Sequence, residues 1–222
     1  MALLQIKQLR KNYDSPEGGR LSVIDIPYFS LEGGEQIALK GESGSGKTTF
    51  LNLIAGILKP DSGEILLLDQ NTANLSEGQR DQIRAKHIGY VFQTFNLLQG
   101  YTALENVLMG MTFGQKSDPA KARGLLKKVD LQDRLNYLPR QLSVGQQQRV
   151  CVARALANEP KLVLADEPTG NLDRKHAAET IDLIKSMCLD HQAALLLVTH
   201  DPFVLERFDR VEEFSKINQA FK

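Results

Sequence analysis

Gly41-Glu42-Ser43-Gly44-Ser45-Gly46-Lys47-Thr48 fits the pattern G-x-x-x-x-G-K-[ST] at every fixed position. Glycines let backbone amides curl around phosphate oxygens without a Cβ in the way. A helix that starts behind them turns its positive end on the same oxygens. The flanks agree with this reading. Residues 35–39 form a short apolar run that reads as a strand entering the glycine-rich turn, and residues 48–56 read as the helix behind it. By this chemistry Lys47 is expected to neutralise β- and γ-phosphates, and the Thr48 hydroxyl to ligate Mg²⁺. The motif occurs once, which excludes a tandem duplication of nucleotide-binding units.

Working outward, residues 4–13 and 21–29 read as strands joined by a Gly/Pro-containing turn at 15–19, and 65–68 and 88–92 as two further strands. From about 102 to 157 the pattern is helical. Thr102-Ala-Leu-Glu105 matches a capping box, and 150–157 is alanine-rich. Residues 162–165 and 194–198 are dense apolar runs of the kind a parallel sheet covered on both faces requires. A helical candidate at 177–189 lies between them and completes a βαβ unit. The first of these runs ends in Asp166-Glu167. Such an aspartate holds Mg²⁺ in phosphoryl-transfer sites, and the carboxylate after it can act as general base toward water.

Composition narrows the class. Of 222 residues, 42% are apolar and 24% charged, enough for a real core and consistent with one large domain. Lys and Arg number 27, as do Asp and Glu, and this balance argues against a nucleic-acid partner. Two cysteines, Cys151 and Cys188, build no disulfide framework and show no metal-ligand spacing, so a reduced compartment is expected. No apolar run approaches the roughly 20 residues of a membrane span. Work at a membrane therefore requires another chain.

Leu142-Ser143-Val144-Gly145-Gln146-Gln147-Gln148-Arg149 resembles the signature motif of ABC ATPases, and the resemblance runs along essentially the whole chain. Tyr13 matches the aromatic that stacks on adenine, and residues 41–49, through Thr49, match the Walker A loop. Gln93 matches the Q-loop, residues 143–146 the signature, 162–167 Walker B, 171–173 the D-loop, and His200 the switch histidine. The tracts 165–173, 146–149 and 88–98 are similar to the branch that serves lipoprotein release, macrolide export, bacitracin resistance and cell division. The resemblance implies an ABC-type P-loop ATPase of α/β class over residues 1–222. It also implies an antiparallel β subdomain and a helical subdomain near 95–157 that carries the signature.

What the resemblance implies for function is equally specific. ATP and Mg²⁺ are the expected ligands, with Thr48, Gln93 and Asp166 at the metal, and Glu167, His200 and Gln93 at the chemical step. Ser143, Gly145 and Gln146 would meet the γ-phosphate of a second subunit in a head-to-tail homodimer, and Asp173 would link the two sites. The partner would be a separate membrane permease, holding the chain peripherally on the cytoplasmic face. The same ATPase used for transmembrane signalling, or a soluble non-transport ABC ATPase, is the alternative. Val144 replaces the usual glycine of the signature, and Glu42 adds an acid at a variable loop position, its side chain expected to face away from phosphate.

Other residues are read plainly. Phe95, Leu97 and Leu98 either pack between subdomains or line a groove for a helix of the membrane subunit. Arg149, Arg154 and Lys127-Lys128 are expected on solvated helix faces, His87 and His191 at the surface, and His176 near the start of a solvated helix.

Overall fold

The computed structural model describes residues 2–15, 18–114 and 116–220. Two long strands, β1 (Ala2–Asp14) and β2 (Arg20–Glu32), precede β3 (Gln36–Lys40) and helix α1 (Lys47–Ile54). Next come β4 (Ser62–Leu67), β5 (Gln70–Asn71), α2 (Glu77–His87), β6 (Ile88–Val91), α3 (Ala103–Met111), α4 (Pro119–Lys128) and α5 (Val144–Ala155). The chain closes with β7 (Leu162–Asp166), α6 (Arg174–Asp190), β8 (Ala194–Thr199), α7 (Pro202–Leu205), β9 (Arg210–Glu213) and α8 (Phe214–Ile217). Strands β2-β1-β4-β5 make an antiparallel sheet, and β6-β7-β8-β3-β9 a parallel one.

The apolar runs β7 and β8 are buried at every position, because the parallel sheet has two covered faces. Alternation divides them between two cores. Leu195, Leu197, Val163 and Ala165 pack toward α3, α4, α5 and α6. Leu196, Val198, Leu162 and Leu164 pack with Phe50 of α1 and with Leu4, Ile6, Ile24 and Ile26 of the antiparallel sheet. Gly63 is required where β4 meets a bulge in β1: its φ is +95°, and a Cβ there would lie 2.3 Å from the Gln8 carbonyl oxygen.

The sequence expectations need several boundary corrections. The strand expected at 65–68 ends at Leu67, since Leu68 and Asp69 both have positive φ (51° and 62°) and form the turn into β5. The helical stretch from 102 to 157 is broken into α3, α4 and α5 with single turns between them. Of the expected turn at 15–19, Pro16 and Glu17 lie outside the described residues. Helix α2 was not expected. It fully buries no side chain, and its local marks are the Ser76/Gln79 capping box, Glu77 in the first turn and Arg84, Lys86 and His87 in the last. Arg80 and Arg84 anchor it by donating to the carbonyls of Gly56 and Ala55 at the end of α1. Strand β9 also went unread, being short, charged and at the sheet edge. Among the described residues no helix is long and apolar enough to cross a membrane.

Candidate functional site

The loop leaves β3 beside the end of β8, where the Gly41 amide donates to the Thr199 carbonyl at 3.3 Å. Gly46 has φ +95°, and a Cβ there would lie 2.9 Å from the Val23 carbonyl oxygen, so only glycine fits. Helix α1 begins directly after it with no side-chain cap and no acid in its first turn. Its amino end therefore stays available to anions. Lys47 is buried and its Nζ donates to the carbonyls of Gly41 (2.6 Å) and Glu42 (2.8 Å), curling the loop around the ammonium.

The β7 terminus supplies two carboxylates. Asp166 is buried, and burial pushes its carboxyl above the usual carboxylate range. The Thr48 hydroxyl and the Lys47 charge oppose that rise, while the neighbouring Glu167 adds to it. Asp166 Oδ1 has no hydrogen-bond partner among the described residues. Glu167 has φ +43°, an uncommon left-handed backbone for a non-glycine residue, worth about 1–3 kcal/mol of local strain. Its Oε2 accepts from Thr199 Oγ1 at 2.8 Å, and its Oε1 lies 3.1 Å from the His200 amide and 2.8 Å from His200 Nδ1. Lys47 Nζ stands 3.7 Å from the same Oε1.

Ser43, Gly44, Gly46, Lys47, Thr48, Thr49, Gln93, Asp166, Glu167, His200 and Val23 line one cavity of about 250 Å³. A larger hollow, about 680 Å³, lies on the other side of the loop against Lys40, Glu213, Phe214 and Asn218. Gly41, Glu42 and Ser45 line only that second hollow. The smaller one holds the lysine, the helix start and both carboxylates. Its Thr48 hydroxyl and unsatisfied Asp166 oxygen are hard donors, too few for a closed metal cage. That suits a Mg²⁺ that draws most of its ligands from phosphate and water. Gln93 is exposed at the mouth, and its carbonyl accepts from Asn171 Nδ2 at 3.2 Å.

Tyr13, Ser143, Gly145, Gln146 and Asp173 stand outside this cavity. Tyr13 is exposed at the end of β1, with Lys11 Nζ 5.6 Å from its ring centre. Ser143 caps α5 in a full capping box with Gln146. Val144 is exposed, and Gly145 has His176 as its nearest neighbour. Asp173 caps α6, accepting from the His176 amide at 3.0 Å and lying 2.7 Å from its Nδ1, contacts that hold its carboxyl below the usual range. The starts of α5 and α6 therefore adjoin on the surface.

Several plain readings are corrected. Arg154 is not on a solvated face: it is half-buried and donates to the carbonyls of Phe95 (2.8 Å) and Asn96 (2.6 Å). Arg149 is half-buried too, bonded to the Val129 carbonyl and Asp130. Leu97 is buried in the core and Phe95 packs against it, whereas Leu98 is exposed. His87 and His191 are half-buried, and burial lowers the basicity of each. Cys151 and Cys188 are buried free thiols, pushed up to about 12. Sequence reasoning missed Thr199, Asn106 and Asn218. Asn106 is fully buried and ties the backbone of Leu98 and Tyr101. Asn218 is buried and joins Val23, Asp25 and Ser45. Asn218 and Thr199 reach partners far along the chain, and Asn106 reaches back into the loop before its own helix, contacts that no sequence motif marks.

Comparisons agree with the geometry. The family model described as ABC transporter matches residues 25–170. The lipoprotein-releasing system ATP-binding protein LolD of Shewanella oneidensis is 42% identical over 214 residues, covering 94% of this chain and 91% of that one. The ABC transporter ATP-binding protein YbbA of Escherichia coli is 42% identical over 211 residues, covering 94% and 92%. The ATP-binding cassette MJ0796, in a dimeric post-hydrolysis structure bound to ADP and Pi, superposes with a TM-score of 0.87. It is 34% identical and covers 98% of this chain and 95% of that one.

Proposed function

Since the chain belongs to the ABC transporter family as an ATP-binding, ATP-hydrolysing cassette, we propose that it drives a separate membrane permease through ATP-dependent closure and opening of a homodimer. The observation that carries this reading is the convergence of Lys47, Thr48, Asp166, Glu167, Gln93 and His200 on one cavity.

In this reading the Lys47 ammonium exchanges the Gly41 and Glu42 carbonyls for β- and γ-phosphate oxygens. The α1 amides close around the phosphates, and Tyr13 stacks on adenine. Thr48, Asp166 and Gln93 would hold Mg²⁺, which supplies neutralisation of phosphate charge. Glu167 takes a proton from the attacking water, and His200 turns from the Glu167 carboxylate toward the γ-phosphate. The exposed, outward-facing signature start at Ser143 supports its use by a second subunit rather than by its own nucleotide. Two equal subunits then make a two-fold closed pair, with Asp173 beside the junction.

Permease contact falls to the loop after Gln93, where Leu98 and Tyr101 are exposed and the backbone beneath them is held by Arg154 and Asn106. The chain would thus sit peripherally on the cytoplasmic face of the membrane. The test is purification of the tagged chain from detergent-solubilised membranes with Mg-ATP. Co-purification of a multi-span membrane subunit at fixed stoichiometry is expected. Recovery of the chain alone, with unchanged ATP turnover in membranes and in buffer, would overturn the reading.

A further inference from the structure

Thr199 closes β8, is fully buried, and bonds to all three phosphate-facing segments. Its carbonyl accepts the Gly41 amide at the start of the phosphate loop. Its hydroxyl accepts the Asp201 amide at 3.1 Å, just past His200. The same hydroxyl donates to Glu167 Oε2 at 2.8 Å. A hydroxyl has one proton. An ionised carboxylate only accepts, so the Thr199 hydroxyl gives its proton to Glu167 while one of its lone pairs takes the Asp201 amide. Oε2 has Thr199 as its donor, while Oε1 takes the His200 amide at 3.1 Å. Glu167 rests on a left-handed backbone, and its other oxygen faces His200, whose side chain is 65% exposed.

We propose that Thr199 is a positioning residue for hydrolysis: its hydroxyl clamps the Glu167 carboxylate against the phosphate loop so that the base keeps its aim while His200 moves. This rests on the reading of Glu167 as general base. The charged groups facing Glu167 are Lys47 from α1, Asp166 beside it on β7, and His200 when protonated. Thr199 is the neutral side-chain donor beside the His200 backbone amide, and it acts on orientation without competing for phosphate.

The experiment compares Thr199→Val and Thr199→Ser in the full chain, with Glu167→Gln as reference. Valine keeps the shape and loses the hydroxyl, whereas serine keeps the hydroxyl and loses the methyl. A hydrogen bond to a charged group carries about one to two powers of ten. Thr199→Val is therefore expected to lower kcat about 10- to 100-fold with KM for ATP within about twofold. Thr199→Ser is expected to keep kcat within about threefold of the parent. A residue serving only to pack would give the reverse order, with valine benign and serine harmful, and that order overturns the proposal. So does a parental rate in Thr199→Val. Should the valine variant fail to fold, Thr199→Ser decides alone: a loss beyond about tenfold refutes the hydroxyl's role. Parental turnover in Glu167→Gln would remove the base assignment itself, and this inference with it. Inactive Glu167→Gln beside parental Thr199→Val removes only Thr199.

Discussion

Replacing Glu167 with glutamine tests the chemical step directly. Oε1 can keep the His200 amide, now at 3.1 Å, while the new NH₂ faces the Thr199 oxygen, now at 2.8 Å, where the hydroxyl turns from donor to acceptor. The opposite orientation would press the NH₂ against the His200 N–H, so one rotamer is selected. The fold should therefore survive, and what is lost is a negative charge and a base. One charge disappears 3.7 Å from Lys47, and Asp166 loses the neighbour that pushes its carboxyl upward. The first change favours anion binding and the second favours the ionised Asp166 that would hold Mg²⁺, so Mg-ATP affinity should be kept. General-base catalysis is worth about 10²–10⁴-fold, or about 3–5 kcal/mol of barrier. Steady-state phosphate release should fall by that factor, and size-exclusion chromatography with Mg-ATP should show a dimer that reverts to monomer without nucleotide. Turnover close to that of the parent would refute the assignment of Glu167. Lost turnover without any ATP-dependent dimer would direct suspicion to Val144 at the signature.

Lys47→Ala removes the ammonium from the loop and should weaken binding of an ATP analogue by at least about tenfold in equilibrium titration, unchanged affinity being the contrary result. Asp166→Asn should abolish Mg-dependent turnover yet raise the melting temperature of the nucleotide-free chain at neutral pH. Burial raises the Asp166 carboxyl above its unfolded value, so the ionised form destabilises the fold at pH above that raised value. The gain from asparagine should fade as pH falls through it, and equal melting temperatures at neutral pH would contradict the sign. Leu98→Glu should leave ATP turnover of the isolated chain within about twofold while reducing recovery of the membrane subunit, because Leu98 is exposed rather than core. Undiminished co-purification would return Leu98 to an ordinary surface role.

What the sequence determined by itself is what depends on neighbours along the chain. A glycine run ending in Lys47-Thr48 reads as a loop because φ freedom and a helix start are local properties. The runs in β7 and β8 read as buried parallel strands because continuous apolar side chains need two covered faces. The capping box at Thr102 is a contact between residues three apart, so the sequence shows it directly. The ordered motifs carried the family, and with it the ABC fold.

Tertiary structure decided what depends on residues far apart. Helix α2 has Ile83 alone packing on the core, too little for an apolar period to mark it, and arginine contacts to the end of α1 help hold it. Strand β9 is charged and exists because β3 offers it an edge. Arg154 and Leu98 lie close to expected functional segments, yet their exposure came out opposite. Arg154 turns inward to carbonyls across 58 residues of chain, while Leu98 is left outside by a loop that Asn106 ties down. Thr199 is one more apolar-flanked residue in a buried strand until folding sets its hydroxyl against a carboxylate 32 positions away. Hydrogen-bond geometry between distant segments follows from how the sheet brings strand ends together, and no local pattern of residue types encodes it.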